Sequence, residues 1–180
     1  MNAYIEIVPT DTVKYEIDKD SGHLKVDRPQ KYSNYCPTLY GFIPQTYCGA
    51  RVGKHGSGER PNALKGDGDP LDICVLSERP ITHGDILVSA RPIGGFCMID
   101  ADEVDDKIIA VLESDPVYGG WTDIADCSES VIARLKHYFL TYKFSPEQNG
   151  ENQVQIGEIY GARQAHQIIE LSKEDYADLK

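Results

Sequence analysis

Residues 65–72 read Lys-Gly-Asp-Gly-Asp-Pro-Leu-Asp, and they lead directly into an apolar run, Ile-Cys-Val-Leu, at 73–76. Three carboxylates fall within six residues, and each makes ionisation of its neighbours more costly unless a cation neutralises them. Pro70 favours an extended Asp69, and in an extended segment Asp67 and Asp69 point to the same side. The pattern predicts a rigid hard-cation site built from oxygen ligands. Taken alone, it is more typical of an acidic turn before a strand.

A second acidic segment strengthens the prediction of a cation site. Residues 100–107 read Asp-Ala-Asp-Glu-Val-Asp-Asp-Lys and precede the apolar run 108–111. By itself this segment indicates a polar hairpin loop. Beside residues 65–72, it indicates two carboxylate-rich loops, each at the end of a strand, that hold several divalent ions between them. Clustered divalent ions are how enzymes clamp the two oxygens of an in-line displacement at phosphorus.

Composition limits the class of protein. The 180 residues suit one domain, and 41% hydrophobic and 26% charged residues are ordinary for a globular protein. A net charge of −11 argues against nucleic acid or an anionic membrane as the main partner. A small polyanion remains compatible if metal ions, Lys and Arg reverse the sign locally. The five cysteines form no paired framework, and the first residues do not resemble a signal peptide, so we expect reduced thiols in a cytoplasmic protein.

The hydrophobic pattern predicts an α+β, mainly β fold, because seven short strands precede any helix and favour a barrel or a sandwich. The predicted strands are 4–8, 13–17, 24–26, 71–76, 86–90, 96–99 and 107–112. Residues 32–42 are interpreted as an aromatic-lined loop, and residues 45–66 as an exposed basic loop inserted in a single domain, 1–180. Two helices follow. The first has an apolar face between Val131 and Tyr142, with a capping box of Asp126 and Glu129, and Pro146 ends it; the second begins near Gly161.

Several stretches resemble family I soluble inorganic pyrophosphatases of the bacterial type. The sequence Asp-Gly-Asp-Pro-Leu-Asp at 67–72 matches the signature of that family. Other matching pieces, in the order of the family, are 5–7, 14–18, 26–28, 40–44, 105–111 and 142–143. The resemblance implies an OB-like five-stranded barrel with extra strands and two flanking helices. It also implies hydrolysis of inorganic diphosphate to two orthophosphates, with Mg²⁺ as the cofactor and, commonly, a homohexameric assembly.

The resemblance also implies roles for individual residues. Asp67, Asp72 and Asp105 would hold the tightest Mg²⁺, and Asp100 and Asp105 would serve the ions that arrive with the substrate. Asp69 would take the proton from a water that bridges two metals. The groups that would bind the phosphates are Lys14, Arg28, Tyr40, Lys107, Tyr142 and Lys143, and of these Lys14, Arg28 and Tyr40 are counted with Asp69 as catalytic. Glu6 and Glu16 would lie at the rim of the metal site.

Two positions depart from the pattern of the family. Cys36 stands where the family usually has Tyr, and Ala101 stands where a Glu is common. Both positions are peripheral in this interpretation. Since no Ser, Cys or His nucleophile with a partner stands out, we expect direct attack by water rather than a phosphoenzyme. An all-oxygen site favours Mg²⁺, with Mn²⁺ as an alternative and Ca²⁺ as an inhibitor.

Two other classes of protein remain as alternatives. In a calcium-binding EF-hand loop counted from Asp67, Asp69 and Glu78 fit the third and twelfth positions, but the sixth position, which requires Gly, is Asp72. An OB-fold nucleic-acid binder would use the tyrosines to stack bases. The net charge opposes that alternative. A phosphate-release assay with pyrophosphate separates all three.

Overall fold

Ten strands, a 3₁₀ turn and three helices form the regular structure in the part of the chain that is described. The structure is a computed structural model, and it describes residues 1–58, 64–143 and 154–179. Its elements, in chain order, are β1 (Asn2–Ile7), β2 (Val13–Ile17), β3 (Leu24–Pro29), β4 (Leu39–Phe42), α1 (Ala50–Gly56), β5 (Lys65–Gly66), β6 (Asp72–Leu76), β7 (Ile86–Asp100), β8 (Glu103–Val104), β9 (Lys107–Leu112), a 3₁₀ turn (Ile124–Asp126), α2 (Glu129–Thr141), β10 (Val154–Gly161) and α3 (Ala162–Ala177).

Five strands close into a ring. Hydrogen bonding runs from β1 to β4, β6, β9 and β7, and β7 pairs with β1 to complete the circuit. This ring confirms the predicted OB-like five-stranded barrel. The extra strands lie outside it: β10 pairs with β7, β5 pairs with β8, and β2 and β3 form a separate antiparallel hairpin.

The parallel pairing of β6 with β9 brings the two acidic segments together. Asp72, the first residue of β6, pairs with Lys107, the first residue of β9. Because the strands run in the same direction, the segments that precede them, 67–71 and 100–106, meet at the same end of the barrel. Both strands are buried along most of their length, as expected for parallel neighbours inside a sheet.

Two apolar clusters, one on each face of β6, hold the barrel together. Ile73 and Val75 belong to the cluster that contains Ile168 and Ile169 of α3. Cys74 and Leu76 belong to the cluster that contains Leu135 and Phe139 of α2. Successive residues of a strand point to opposite faces, so the continuous apolar run 73–76 serves both clusters. Helices α2 and α3 therefore belong to different clusters, one on each face of β6.

The structure corrects several sequence-based expectations. The predicted strands 86–90 and 96–99 form one long strand, β7, which is irregular between Pro92 and Gly94. Strand β4 lies in the predicted loop 32–42, and β10 was not predicted. The loop prediction for 45–66 is wrong at its centre, because α1 forms there and buries Val52. There are consequently three helices in the described residues, and the first follows four strands rather than seven.

The helix boundaries are also partly different from those expected. The capping box is formed by Asp123 and Asp126 around the 3₁₀ turn, whereas α2 begins after Ser128 without a side-chain cap. The start of α3 at Ala162 agrees with the prediction. Pro146 lies outside the described residues, as do 59–63 of the predicted loop. Among the helices described, none is long and apolar enough to span a membrane.

Candidate active site

A cavity of about 680 Å³ opens at the end of the barrel where β6 and β9 begin. Every residue that the sequence assigned to the site lines this cavity except Arg28. Among the lining residues are five charged ones to which the sequence assigned no role, and these are Asp18, Lys19, Asp20, Lys25 and Glu103. The first four belong to the β2–β3 hairpin, which also carries Lys14 and Glu16. The two neighbouring predicted strands, 13–17 and 24–26, were therefore the signal that could have found them.

Lys107 lies at the centre of the site. Its side chain is almost completely buried, and its ammonium group donates hydrogen bonds to Asp72 and to Asp105. Burial alone would lower the pKa of Lys107, but the charges of Asp105 and Asp72 outweigh it and hold that pKa well above its usual value. Lys107 is therefore a fixed positive charge between two carboxylates. The contact of Lys107 with Asp72 follows directly from the register of β6 and β9.

Tyr40 contacts the carboxylate of Asp72, which also binds Lys107. It lies on β4, which pairs with β6, and its hydroxyl donates to Oδ2 of Asp72 at 2.5 Å. The pKa of Asp72 is raised by burial and by the charge of Asp105, against the opposing effect of Lys107. Burial and the two carboxylates raise the pKa of Tyr40 as well, so its proton stays on the phenol.

Asp67 and Asp105 form a carboxyl pair. Burial, followed by the charge of Asp105, raises the pKa of Asp67 to about 8. Burial would also raise the pKa of Asp105, but Lys107 and a hydrogen bond with Asp67 outweigh burial and lower it. The backbone holds Asp67 in place, because Gly68 adopts a φ of 78° and Asp69 N donates to Asp67 Oδ1 at 3.0 Å. Negative charge at this pair is only partly compensated by the protein.

Asp69 lies at the open side of the cavity. Its side chain is 60% exposed, and its Oδ1 lies 2.5 Å from Nζ of Lys19. Nearby, Lys143 pairs with Asp100, and its Nζ lies 5.4 Å from the ring centroid of Tyr142. These cations and the tyrosine face the same space as the carboxylates.

The β2–β3 hairpin and β1 form the remaining wall. Lys14 contacts Glu16 and lies 3.1 Å from Asp27. Glu6 is 8% exposed and accepts a hydrogen bond from Ile17 N at 2.6 Å, and burial raises its pKa to about 7. Arg28 pairs with Lys14 in the hairpin register, but its guanidinium contacts Pro29 O at 3.4 Å. In this conformation, then, Arg28 stands beside the cavity rather than in its lining.

The donor chemistry of the site fits a hard divalent cation. Asp67, Asp72 and Asp105 offer only oxygen atoms, which is the ligand set that Mg²⁺ and related ions prefer. Within residues 1–58, 64–143 and 154–179, no three Asp, Glu, His or Cys side chains form a ready-made cage for an ion. The ammonium of Lys107 instead lies between two of the three carboxylates. The raised pKa of Asp67 shows that the protein does not compensate a negative charge there, so a cation can take the place of the proton.

Fold and site together define a class of protein: a five-stranded barrel enzyme whose cavity joins clustered carboxylates to lysines and tyrosines suited to a phosphate-containing anion. Comparison with known proteins identifies the family. The family model described as inorganic pyrophosphatase matches residues 3–177. Inorganic pyrophosphatase of Chlamydia muridarum is 56% identical over 98% of this chain and 86% of its own length. Soluble inorganic pyrophosphatase 3 of Arabidopsis thaliana is 37% identical over 98% of this chain and 72% of its own length.

Solved structures agree with the sequence comparison. The inorganic pyrophosphatase of Helicobacter pylori has a TM-score of 0.79 at 31% identity, covering 98% of this chain and 93% of that one. The enzyme of Thermus thermophilus has a TM-score of 0.80 at 30% identity, covering 98% and 91%. The chain belongs to the inorganic pyrophosphatase family, whose enzymes are metal-dependent hydrolases, and it hydrolyses inorganic pyrophosphate to orthophosphate. The EF-hand alternative is wrong, because residues 67–78 contain strand β6.

Proposed function

We propose that this pyrophosphatase uses Mg²⁺ and a direct attack of water on the diphosphate, within a single domain formed by residues 1–180. The observation that carries the proposal is the convergence of Asp67, Asp72 and Asp105 on one buried site with Lys107 among them. These three aspartates and Asp100 would hold the ions. When bound, divalent ions neutralise the charge of the diphosphate and lower the pKa of water near them.

Asp69 is assigned the role of proton acceptor. It lines the cavity, and its side chain is more exposed than those of Asp72 and Asp105, so its oxygens have more room for a solvent molecule. Its backbone N–H donates to the carboxylate of Asp67, which ties the backbone of Asp69 to one of the proposed ligands. A carboxylate carried on that backbone can take a proton from a water that attacks the phosphorus. Displacing Lys19 from Asp69 would free the oxygen for that role.

The cations and phenols of the cavity are assigned to the phosphates. Lys14, Lys107, Tyr142 and Lys143 line the cavity, and Tyr40 contacts Asp72 at its base. As the P–O bond breaks, negative charge grows on the leaving phosphate, and fixed ammonium groups and phenols stabilise it by position and charge. Glu6 and Glu16 lie at the rim of the metal site. Arg28 is assigned to the same group because it pairs with Lys14 in the hairpin, and this role requires its side chain to leave the conformation in which it contacts Pro29 O.

The partners and location of the enzyme are part of the proposal. The net charge of −11 opposes binding to nucleic acid or to an anionic membrane and is compatible with a cytoplasmic enzyme. The bacterial type of the family, to which the sequence is similar, favours a homohexamer. Light scattering of the purified protein at several concentrations would measure its mass, and a monomer mass at all of them would contradict the assembly.

The proposed chemistry is tested by measuring phosphate release from pyrophosphate with Mg²⁺, Mn²⁺, Ca²⁺ or EDTA. We expect turnover with Mg²⁺, slower turnover with Mn²⁺, inhibition by added Ca²⁺ and no turnover in EDTA. Turnover that EDTA does not affect would contradict the metal assignment. A rapid-quench experiment with radiolabelled pyrophosphate should show no phosphoryl-protein, and a labelled protein band would contradict direct attack.

A further inference from the structure

We infer that Asp175 is a positioning residue for the aspartates of segment 67–69 and acts through a backbone bridge at 47–49. Asp175 lies on α3 and does not line the cavity. The inference deepens the proposed function, on which it rests, because it assigns a support to Asp67 and Asp69. It also assigns a role to α1, the helix in the predicted loop 45–66.

Asp175 binds the beginning of α1. The carboxylate is 5% exposed, and its Oδ2 accepts hydrogen bonds from Gly49 N at 3.0 Å, Arg51 N at 3.1 Å and Val52 N at 3.1 Å. The first N–H groups of a helix have no partner within the helix, and the N-cap of α1 is Gly49, which has no side chain to supply one. A carboxylate from a distant helix thus holds residues 49–52 at one position.

Residues 47 and 48 connect this anchor to the catalytic segment. Tyr47 N donates to Ser172 O of α3 at 2.9 Å, one helical turn before Asp175. The next residue, Cys48, binds the catalytic segment instead of α3. Its N–H donates to Asp69 O at 2.8 Å, and its carbonyl accepts from Gly68 N at 3.1 Å. The bridge therefore has α3 on one side and the backbone of residues 68 and 69 on the other.

The backbone bridge at 47–49 packs too tightly to move without segment 67–69. Cys48 is buried, and a methyl group added at Gly66 would lie 2.1 Å from the carbonyl oxygen of Cys48. A close-packed contact of this kind passes a displacement of one backbone to the other. Loss of the anchor at Asp175 would release Gly49 and Cys48, and with them the backbone that orients the carboxylates of Asp67 and Asp69.

A neighbouring residue supplies a matched control. Nη1 of Arg51 contacts Asp175 at 3.0 Å and Asp178 at 2.6 Å. Asp178, the C-cap residue of α3, shares the arginine, but its side chain is 65% exposed and contacts the guanidinium of Arg51 rather than the backbone amides of α1. The variants Asp175→Asn and Asp178→Asn each remove one charge next to Arg51. Of the two, Asp175→Asn alone weakens the amide bonds, because a neutral amide oxygen is a weaker acceptor than a carboxylate and the NH2 group beside it would face Nη1 of Arg51.

The first test needs neither metal nor substrate. Hydrogen–deuterium exchange of the full chain in EDTA should show that the amides of Cys48 and Gly68 exchange about tenfold faster in Asp175→Asn than in wild type. Asp178→Asn should exchange like wild type. Unchanged exchange at both amides in a folded Asp175→Asn would overturn the inference. This readout does not depend on the proposed chemistry.

The second test measures catalysis well below the Tm of each variant. In Asp175→Asn, kcat should fall about tenfold and the Mg²⁺ concentration for half-maximal rate should rise about tenfold, with the KM for pyrophosphate within about twofold of wild type. Asp178→Asn should match wild type in all three. A lower Tm with unchanged kcat would show a merely structural role and overturn the inference. Wild type without Mg²⁺-dependent turnover would contradict the proposed function instead.

A charge-retaining variant covers the case in which Asp175→Asn does not fold. Asp175→Glu keeps the carboxylate but places it one methylene further out, so its kcat should lie between those of wild type and Asp175→Asn. Circular dichroism checks that each variant is folded. If neither variant folds, Asp175 supports the whole chain rather than the catalytic segment, and the inference is overturned.

Discussion

Tyr40 donates a hydrogen bond to Oδ2 of Asp72 at 2.5 Å, across the pairing of β4 with β6. Lys107 donates to the same oxygen from β9. One carboxylate oxygen of a proposed metal ligand is thus bound by donors from both neighbouring strands. The second oxygen is left for an ion, and the two donors fix its direction. Partners of this kind tune the affinity of a metal ligand and its orientation.

Replacement of Tyr40 by Phe removes one donor and keeps the ring. Since the ring packs against Phe139 and its volume is almost unchanged, the fold should be retained. We expect kcat to fall about tenfold or more and the Mg²⁺ requirement to rise, because Asp72 loses a hydrogen bond that fixes it. Steady-state phosphate release at several Mg²⁺ concentrations measures both effects. A rate equal to wild type at limiting Mg²⁺ would show that the Tyr40–Asp72 bond has no part in the reaction.

Replacement of Asp69 by Asn tests the proposed proton acceptor. The amide keeps the size of the side chain but cannot take a proton, so kcat should fall by about 10²-fold or more. Mg²⁺ binding, measured by calorimetry, should be largely retained, because Asp67, Asp72 and Asp105 are unchanged. Asp20→Asn is the control, since Asp20 lines the same cavity and has no assigned role. Equal loss of activity in both variants would point to the charge of the cavity rather than to Asp69.

The local order of residues was enough to predict the acidic site. Segment 65–72 carries its own turn chemistry, and Gly68 adopts a positive φ, which glycine accepts without strain. The meeting of Asp72 with Lys107, by contrast, depends on the parallel pairing of β6 with β9, which no local pattern encodes. The position of the Arg28 guanidinium could not be predicted either. The sequence pattern places Arg28 near a predicted strand, but the direction of its side chain depends on contacts in the folded protein.

Helix α1 shows why part of the fold was missed. It has seven residues, includes Gly53 and ends at Gly56, and so short a helix is not stable by itself. Its stability comes from Asp175, more than a hundred residues away, and from the burial of Val52. Similarly, Leu39–Phe42 is a strand because β1 and β6 flank it, although its sequence contains a glycine between two aromatic residues. Tertiary contacts decided both cases.

Asp115 organises a loop remote from the cavity, and its replacement by Asn should affect stability alone. Its carboxylate is 6% exposed and accepts hydrogen bonds from the amides of Glu78, Val117 and Tyr118 at 2.7, 2.9 and 2.8 Å. Loss of these bonds should lower the free energy of unfolding at pH 7 by about 1–3 kcal/mol. Urea denaturation measures it. Activity below the Tm should equal that of wild type, and a reduced kcat would contradict this separation.

The effect of Asp115→Asn should also depend on pH. Backbone hydrogen bonds outweigh burial and lower the pKa of Asp115 in the folded state. Its stabilisation is therefore complete above the usual aspartate pKa of about 3.9 and is lost as the pH falls through the folded value. The difference between wild type and variant should be constant near neutral pH and shrink in acid. Asp126→Asn, which loses amide contacts at an exposed position, should destabilise the protein less.

Glu6→Gln should change the pH dependence of stability in the opposite direction. Burial raises the pKa of Glu6 from 4.5 to about 7, so the folded state binds a proton that the unfolded state releases between these values. The contribution of Glu6 is most favourable below pH 4.5 and is lost as the pH rises to 7. Gln cannot ionise, and its oxygen can still accept from Ile17 N. In EDTA, the variant should therefore gain stability relative to wild type as the pH rises, by up to about 3 kcal/mol. Urea denaturation at several pH values measures this gain, and a difference independent of pH would mean that Glu6 ionises alike in both states.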